Sequence, residues 1–198
     1  MKKIMFNDKY GLTRAVLAKR KTQTRRIAYA DYVKFPNTCI GLKNNERNKL
    51  FFKNGKVVVA KSRYKIGEEI AVAQHYNGII PNLVCDLEEI EKLLLSGGLA
   101  NKMFVKADIM PHRIRITNIR VERLQDISDE DCIAEGIQKY PDVHNYMWGF
   151  SYIKGTALKF ELSPTPREAY AALIDKISGK GTWKSNPYVF VYEFELIK

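Results

Sequence analysis

Residues 14–26 read Arg-Ala-Val-Leu-Ala-Lys-Arg-Lys-Thr-Gln-Thr-Arg-Arg, and two periodicities meet inside them. Upstream, Leu12, Ala15 and Val16 share one face of a helix that Asn7 or Asp8 is placed to cap and that runs through Arg20. Downstream, residues 22–27 alternate as a strand does. A helix that gives way directly to a strand points to a mixed chain. The stretch also holds six cations and two threonines without one acid. Cations in a last helical turn favour the macrodipole, and a charge run is commonly a solvated face. The alternative is chemical: arginines cradle phosphates, and a threonine hydroxyl three residues from a lysine amine is the minimum equipment of a hydroxyl nucleophile.

Working outward, Lys3 to Phe6 reads as a short strand. Asn54-Gly55, between Leu50-Phe51-Phe52-Lys53 and Lys56-Val57-Val58-Val59, is a two-residue hairpin signal, so residues 28–63 read as an insertion bearing its own β-ribbon. Residues 66–73 read as a turn entering a strand. Residues 83–95 place Leu83, Leu87, Ile90 and Leu94 on one helical stripe, as expected of core packing. Phe104–Ala107 and Arg113–Val121 read as strands, the second setting Ile114, Ile116 and Ile119 against Arg113, Arg115 and Arg120, whose cations face solvent or RNA. Ser128 and Thr165 each begin a capping box; the first helix ends at Gly136, and the second runs through Ile177 with Tyr170, Leu173, Ile174 and Ile177 inward. Asn186-Pro187 starts a last strand, Tyr188–Leu196. Short strands with a few helices make the expected fold class α+β, built around a small β-barrel in one domain over residues 1–198.

Composition narrows the function. With 198 residues, 45% of them hydrophobic, the chain can fill one core, and a formal charge of +11 points towards polyanions, nucleic acid first. No apolar run approaches the roughly 18 residues of a membrane span, so no membrane partner and a cytoplasmic location are expected. Cys39, Cys85 and Cys132 are odd in number and far apart, and His75, His112 and His144 are equally scattered; neither disulfides nor a metal site is expected, and His75 and His112 read as hydrogen-bonded structural residues. Tyr146, Trp148 and Phe150 cluster in one expected loop, and Trp183 lies between Lys180 and Lys184. Such aromatics either stack bases or pack the core.

Glu135 stands out locally, because a carboxylate in the last turn of a helix faces the negative end of the macrodipole. It is either a solvated surface acid or a functional one.

Several segments, in order, carry a family resemblance: Lys19-Arg20-Lys21-Thr22-Gln23-Thr24-Arg25-Arg26, Tyr64-Lys65-Ile66-Gly67-Glu68, and Pro111-His112-Arg113 leading into Ile114-Arg115-Ile116. Val121 to Ser128, Ala134-Glu135-Gly136-Ile137, Gly181-Thr182-Trp183 and Asn186-Pro187-Tyr188-Val189 complete it. The chain resembles the ASCH family, a PUA-like β-barrel fold, and especially its longer members from bacteriophages and prophages. A compact bacterial member of that family removes the acetyl group from N4-acetylcytidine with a lysine, a threonine and a glutamate. The resemblance maps these onto Lys21, Thr24 and Glu135: Thr24 would attack the amide carbonyl, Lys21 and Glu135 would manage protons and charge, and no metal or cofactor is implied. Against that compact enzyme, residues 28–63 and 77–101 stand as insertions and the C-terminal helix is additional.

The role of Lys21 stays open at this level. As the base that activates Thr24 it must titrate well below its free value near 10.4, which burial and neighbouring cations favour; an ion pair with Glu135 would hold it protonated, suiting it to an oxyanion or the leaving amine. Residues three apart in a regular strand also face opposite ways, so Lys21 and Thr24 converge only if the chain turns at the helix-to-strand junction. The expected function is an RNA- or nucleoside-binding module with a cationic cleft, whose ligand groups are Arg20, Arg25, Arg26, Arg113, Arg115, Trp148 and Trp183. The alternatives are an amidohydrolase acting on an acylated cytidine, and a phage accessory protein that binds another protein through residues 28–63.

Overall fold

The structure, a computed structural model, describes residues 1–28, 30–31, 48–53, 56–83, 86–141, 146–154 and 157–197. In chain order it runs β1 (Lys2–Ile4), α1 (Leu12–Leu17), β2 (Gln23–Ile27), β3 (Ala30–Asp31), β4 (Asn48–Lys53), β5 (Lys56–Lys61), β6 (Glu69–Val72), α2 (Tyr76–Ile79) and α3 (Leu87–Leu94). There follow β7 (Arg113–Arg123), α4 (Asp129–Ala134), β8 (Gln138–Pro141), β9 (Tyr146–Lys154), β10 (Ala157–Ser163), α5 (Pro166–Ser178), α6 (Thr182–Ser185) and β11 (Tyr188–Leu196). The class is α+β.

The period-2 strands do what their patterns require. Ile114, Ile116 and Ile119 of β7 are buried, and Ile119 regains the core face after Ile116 because the pairing with β11 shifts register between Glu193 and Phe194. Burial of each such side chain contributes about 1.5–3 kcal/mol. β7 and β11 are the middle of a five-stranded sheet ordered β1-β6-β7-β11-β2, with β1 parallel to β6 and the other pairs antiparallel. Among the described residues no ladder joins its outer strands, β1 and β2. One face packs against α5, capped by the Thr165 hydroxyl, which accepts from Glu168 N–H at 3.2 Å and which turns Tyr170, Leu173 and Ile174 into the core. Three strands, β10-β9-β8, form a second sheet, and β3-β5-β4 a third. In the third, Lys53 lies opposite Lys56 as a two-residue loop demands; Asn54 and Gly55 themselves lie outside the described residues, as do Cys39, Cys85 and His144.

Four expectations are corrected. The first helix starts at Leu12, not after Asn7, because Asn7 Oδ1 accepts Lys9 N–H in a local turn and Gly11 enters the helix at φ 66°, a left-handed conformation. The stripe Leu83-Leu87-Ile90-Leu94 is core packing only at Leu83, which lies before the helix: α3, capped by Asp86, has eight residues and buries only Leu93, leaving Leu87 79% and Leu94 47% exposed. Phe104 belongs to a short 3-10 turn with an exposed ring and not to a strand. Trp148 and Phe150 lie on strand β9, not in a loop, and are paired there with Ser163 and Glu161 of β10. No helix among the described residues is long and apolar enough to cross a membrane.

Candidate functional site

Two backbone devices bring the Arg20–Thr24 segment to the end of α4. Lys19 adopts φ 57°, turning the chain out of α1. Thr22 then donates its N–H to Ala134 O at 3.0 Å, and its carbonyl accepts from Phe194 N–H at 2.9 Å. Lys21 is thereby pinned beside Glu135, the C-cap of α4. Lys21 Nζ donates to Glu135 Oε2 at 2.5 Å and to Glu135 O at 2.7 Å. Both side chains are buried. An ammonium has three donors, so one remains.

Lys21, Thr24 and Glu135 all line one cavity of about 670 Å³, within the size range of small-molecule sites. Its walls come from β1 and the residues after it, from β2, from Arg63 and Tyr64, from the inner face of α5, and from Phe190 and Tyr192 of β11. The cavity thus occupies the gap between the two outer strands of the main sheet. The Tyr64 and Tyr192 rings meet edge to face with centroids 5.1 Å apart, and the Tyr192 hydroxyl is held by Ser62 Oγ and Arg63 N–H. Along the lining Lys3, Lys21, Arg25, Arg26 and Arg63 stand against one acid, Glu135.

Arg25 explains why an acid survives at the negative end of α4. All five of its donors are committed: Nε and Nη2 to Glu122 Oε1 at 3.0 and 2.6 Å, Nη2 also to Asp131 Oδ2 at 2.6 Å, and Nη1 to Gln23 Oε1 at 2.7 Å and Glu135 Oε1 at 3.3 Å. Burial works against its charge, but Glu135 and Glu122 outweigh that penalty and raise its pKa. Burial also opposes the charge of Asp131, yet hydrogen bonds from Arg25 and Gln23 and the field of Arg120 bring its pKa below the ordinary value. The carboxylate of Glu135 is therefore shared between two cations. For Lys21 burial is the larger effect, aided by Arg26 and Arg25; it exceeds the opposing pull of Glu135, so the amine loses its proton more readily than a free lysine.

Not every candidate from the sequence lies here. Arg26 is exposed at the cavity edge, with Nη2 donating to Met5 O at 2.6 Å. Arg25 also lines the cavity, but its donors are all taken by Glu122, Asp131, Glu135 and Gln23. Arg20 is exposed and outside the lining; Arg113 is half-buried and also outside. Arg115 is held by Glu69 and Glu195 on an exposed face of the sheet, and Arg120 by Glu122, Asp131 and Glu193. Trp148 packs against the core with Lys139 over its ring, and Trp183 packs edge-on to Tyr170 with Arg167 above it; neither lines the cavity. The aromatic walls are instead Phe6, Tyr64, Tyr170, Phe190 and Tyr192. Of these only Tyr64 sat in a segment with a functional signal; the others read as strand or helix core, which they also are. The Tyr170 hydroxyl is buried with no hydrogen-bond partner, and burial next to Glu135 pushes its pKa well up.

Among the described residues no group of three His, Cys, Asp or Glu side chains is arranged to hold a metal ion. No protein-family model, no curated protein and no solved structure matches the chain. What the arrangement can do chemically rests on its own residues: a buried amine of lowered basicity, an acid that anchors it, and a threonine hydroxyl in the same aromatic, cationic cavity.

Proposed function

We propose that the cavity binds a nucleoside whose exocyclic cytosine amine carries an acyl group and hydrolyses that amide, in a PUA-like ASCH fold whose barrel is parted along the seam between β1 and β2. The observation that carries this reading is the buried Lys21–Glu135 pair, 2.5 Å apart, lining the same cavity as Thr24. A buried lysine whose amine is easier to deprotonate than usual is suited to act as a base towards a hydroxyl. Neutral Lys21 takes the Thr24 proton as Oγ1 bonds to the acyl carbon. The ammonium so formed is stabilised by Glu135 and returns its proton to the departing cytosine amine as the C–N bond breaks. Water then opens the Thr24 ester: Lys21 accepts a proton from it and gives one to the Thr24 oxygen, releasing the carboxylic acid. Arg25 acts through Glu135, holding its carboxylate in place.

A second reading, RNA held in a cationic cleft without turnover, is favoured by one observation, the five cations against one acid along the lining, with Arg26 and Arg63 exposed. Incubation with N4-acetylcytidine separates the two. The first reading expects cytidine and acetate in equal amounts, and none from Thr24→Val. Binding of the nucleoside with no cytidine released would refute it and leave the second.

A further inference from the structure

β10 reads Ala157-Leu158-Lys159-Phe160-Glu161-Leu162-Ser163 and is the outer strand of the β10-β9-β8 sheet. Among the described residues no strand pairs with its free edge. Its alternate side chains divide by chemistry. Glu161 turns towards α5, where Lys176 Nζ lies 3.1 Å from its Oε2. Leu158, Phe160 and Leu162 point to the other face and remain 58%, 49% and 38% exposed, with the Phe160 ring edge-on to Tyr140. A long edge strand with an uncovered apolar row is a template for another strand, which soluble proteins ordinarily block or fill.

The sequence of this edge selects what fills it. It is symmetric about Phe160: a leucine two residues to either side, and a lysine and a glutamate one residue to either side. We propose that two copies of this chain join β10 to β10 antiparallel about a two-fold axis through Phe160, making one six-stranded sheet. In that register Lys159 of each copy faces Glu161 of the other, Leu158 faces Leu162, and Phe160 faces Phe160. The contact is isologous and closes on itself. Cross-strand pairs of opposite charge stabilise a sheet and like charges opposite one another destabilise it. Sliding by one pair in either direction sets Lys159 against Lys159 or Glu161 against Glu161, and a parallel in-register pairing opposes like charges throughout. One register alone satisfies both ion pairs. A single lysine on a sheet edge normally deters pairing; here the glutamate two residues on converts it into a selector for a second copy of the same strand. Lys176 holds Glu161 by Oε2, on the α5 side of the carboxylate.

The test is the mass in solution of the full chain by sedimentation equilibrium at tens of micromolar, with thermal unfolding recorded for each protein. The wild type is expected at about twice 22.8 kDa. Lys159→Glu alone and Glu161→Lys alone should each be monomeric, since each sets two like-charged pairs across the axis. An equimolar mixture of the two single variants should form a heterodimer, because every opposing pair is then of opposite sign, and the double variant Lys159→Glu, Glu161→Lys should return to a dimer. Glu161→Lys and the double variant also lose the contact with Lys176; if they unfold, Lys159→Glu, which keeps it, still decides the matter: a folded Lys159→Glu that stays dimeric overturns the proposal. A monomeric wild type overturns the proposal and leaves the apolar row to a different protein. Single variants that remain dimeric overturn it equally, by placing the contact elsewhere.

Discussion

Lys21 and Lys102 invite comparison, because both are buried, each has a carboxylate oxygen 2.5 Å from Nζ, and burial pulls both amines below the ordinary lysine pKa. They differ in how their donors are spent. Lys102 gives one to Asp8 Oδ1, one to Thr13 Oγ1 at 2.8 Å and one to Phe6 O at 3.1 Å, so its set of three is closed, and Asp8 is itself 42% exposed to water. Lys21 gives two to Glu135, which is buried, and keeps one in a cavity that Thr24 also lines. A buried cation paired with an acid is thus not in itself a site. What marks Lys21 is residual hydrogen-bonding capacity in the lining of a cavity that Thr24 also lines, whereas Lys102 pins the segment after β1 to the start of α1.

Replacement of each lysine by methionine should expose that difference most strongly. Lys21→Met should lower acylcytidine hydrolysis by about 10²–10⁴-fold, the ordinary worth of a proton-transfer residue, while Lys102→Met should leave the rate constant within a few-fold of wild type and instead lower the melting temperature. Equal loss of activity in both would erase the distinction. Next in size is stability. Glu135→Ala leaves Lys21 buried without its anion and should cost about 3–5 kcal/mol in denaturant unfolding, whereas Asp8→Ala, with its partially solvated carboxylate, should cost clearly less.

The pH dependence sharpens the same contrast with a smaller effect. The folded-state pKa of Lys21 is below its unfolded value near 10.5, so the unfolded chain holds the proton more tightly. The resulting penalty is fully present below the folded pKa and disappears as pH rises from there towards 10.5. Wild type should therefore gain stability relative to Lys21→Met across that window, and hydrolysis should rise around the folded pKa, at the lower end of the window, as the native amine deprotonates. A flat difference between the two proteins would show that Lys21 titrates as a free lysine. Last, Tyr170→Phe removes a buried hydroxyl that has no partner and should leave stability unchanged or raise it, so any loss of turnover in that variant would report contact with the ligand.

Part of this site was legible in the sequence, and the physical reasons for the rest are local. Lys21, Thr24 and Glu135 were marked by charge density, by a carboxylate at the wrong end of a helix and by resemblance, and all three line one cavity. The caps at Ser128 and Thr165 and the isoleucine face of β7 followed from short-range patterns that tertiary contacts did not override. The fate of Arg25 was not legible, because its acids arrive from β7 and α4, about a hundred residues away in the chain, and a cation run looks the same whether its arginines meet phosphate or buried carboxylates. Tyr192 and Phe190 were hidden for another reason: a strand residue that packs the sheet and also walls a cavity carries only the strand signal. The stripe of α3 misled because periodicity says which residues share a face, and not whether anything covers it.

The measurement that bears most directly on the account is rapid-quench mass spectrometry of the protein mixed with excess N4-acetylcytidine, followed by peptide mapping. The account predicts a transient acetyl group on the Thr24 hydroxyl that forms as cytidine is released, is absent in Thr24→Val, and accumulates more slowly in Lys21→Met. Release of cytidine at the full rate from Thr24→Val, with no acetyl group on the protein, would contradict it.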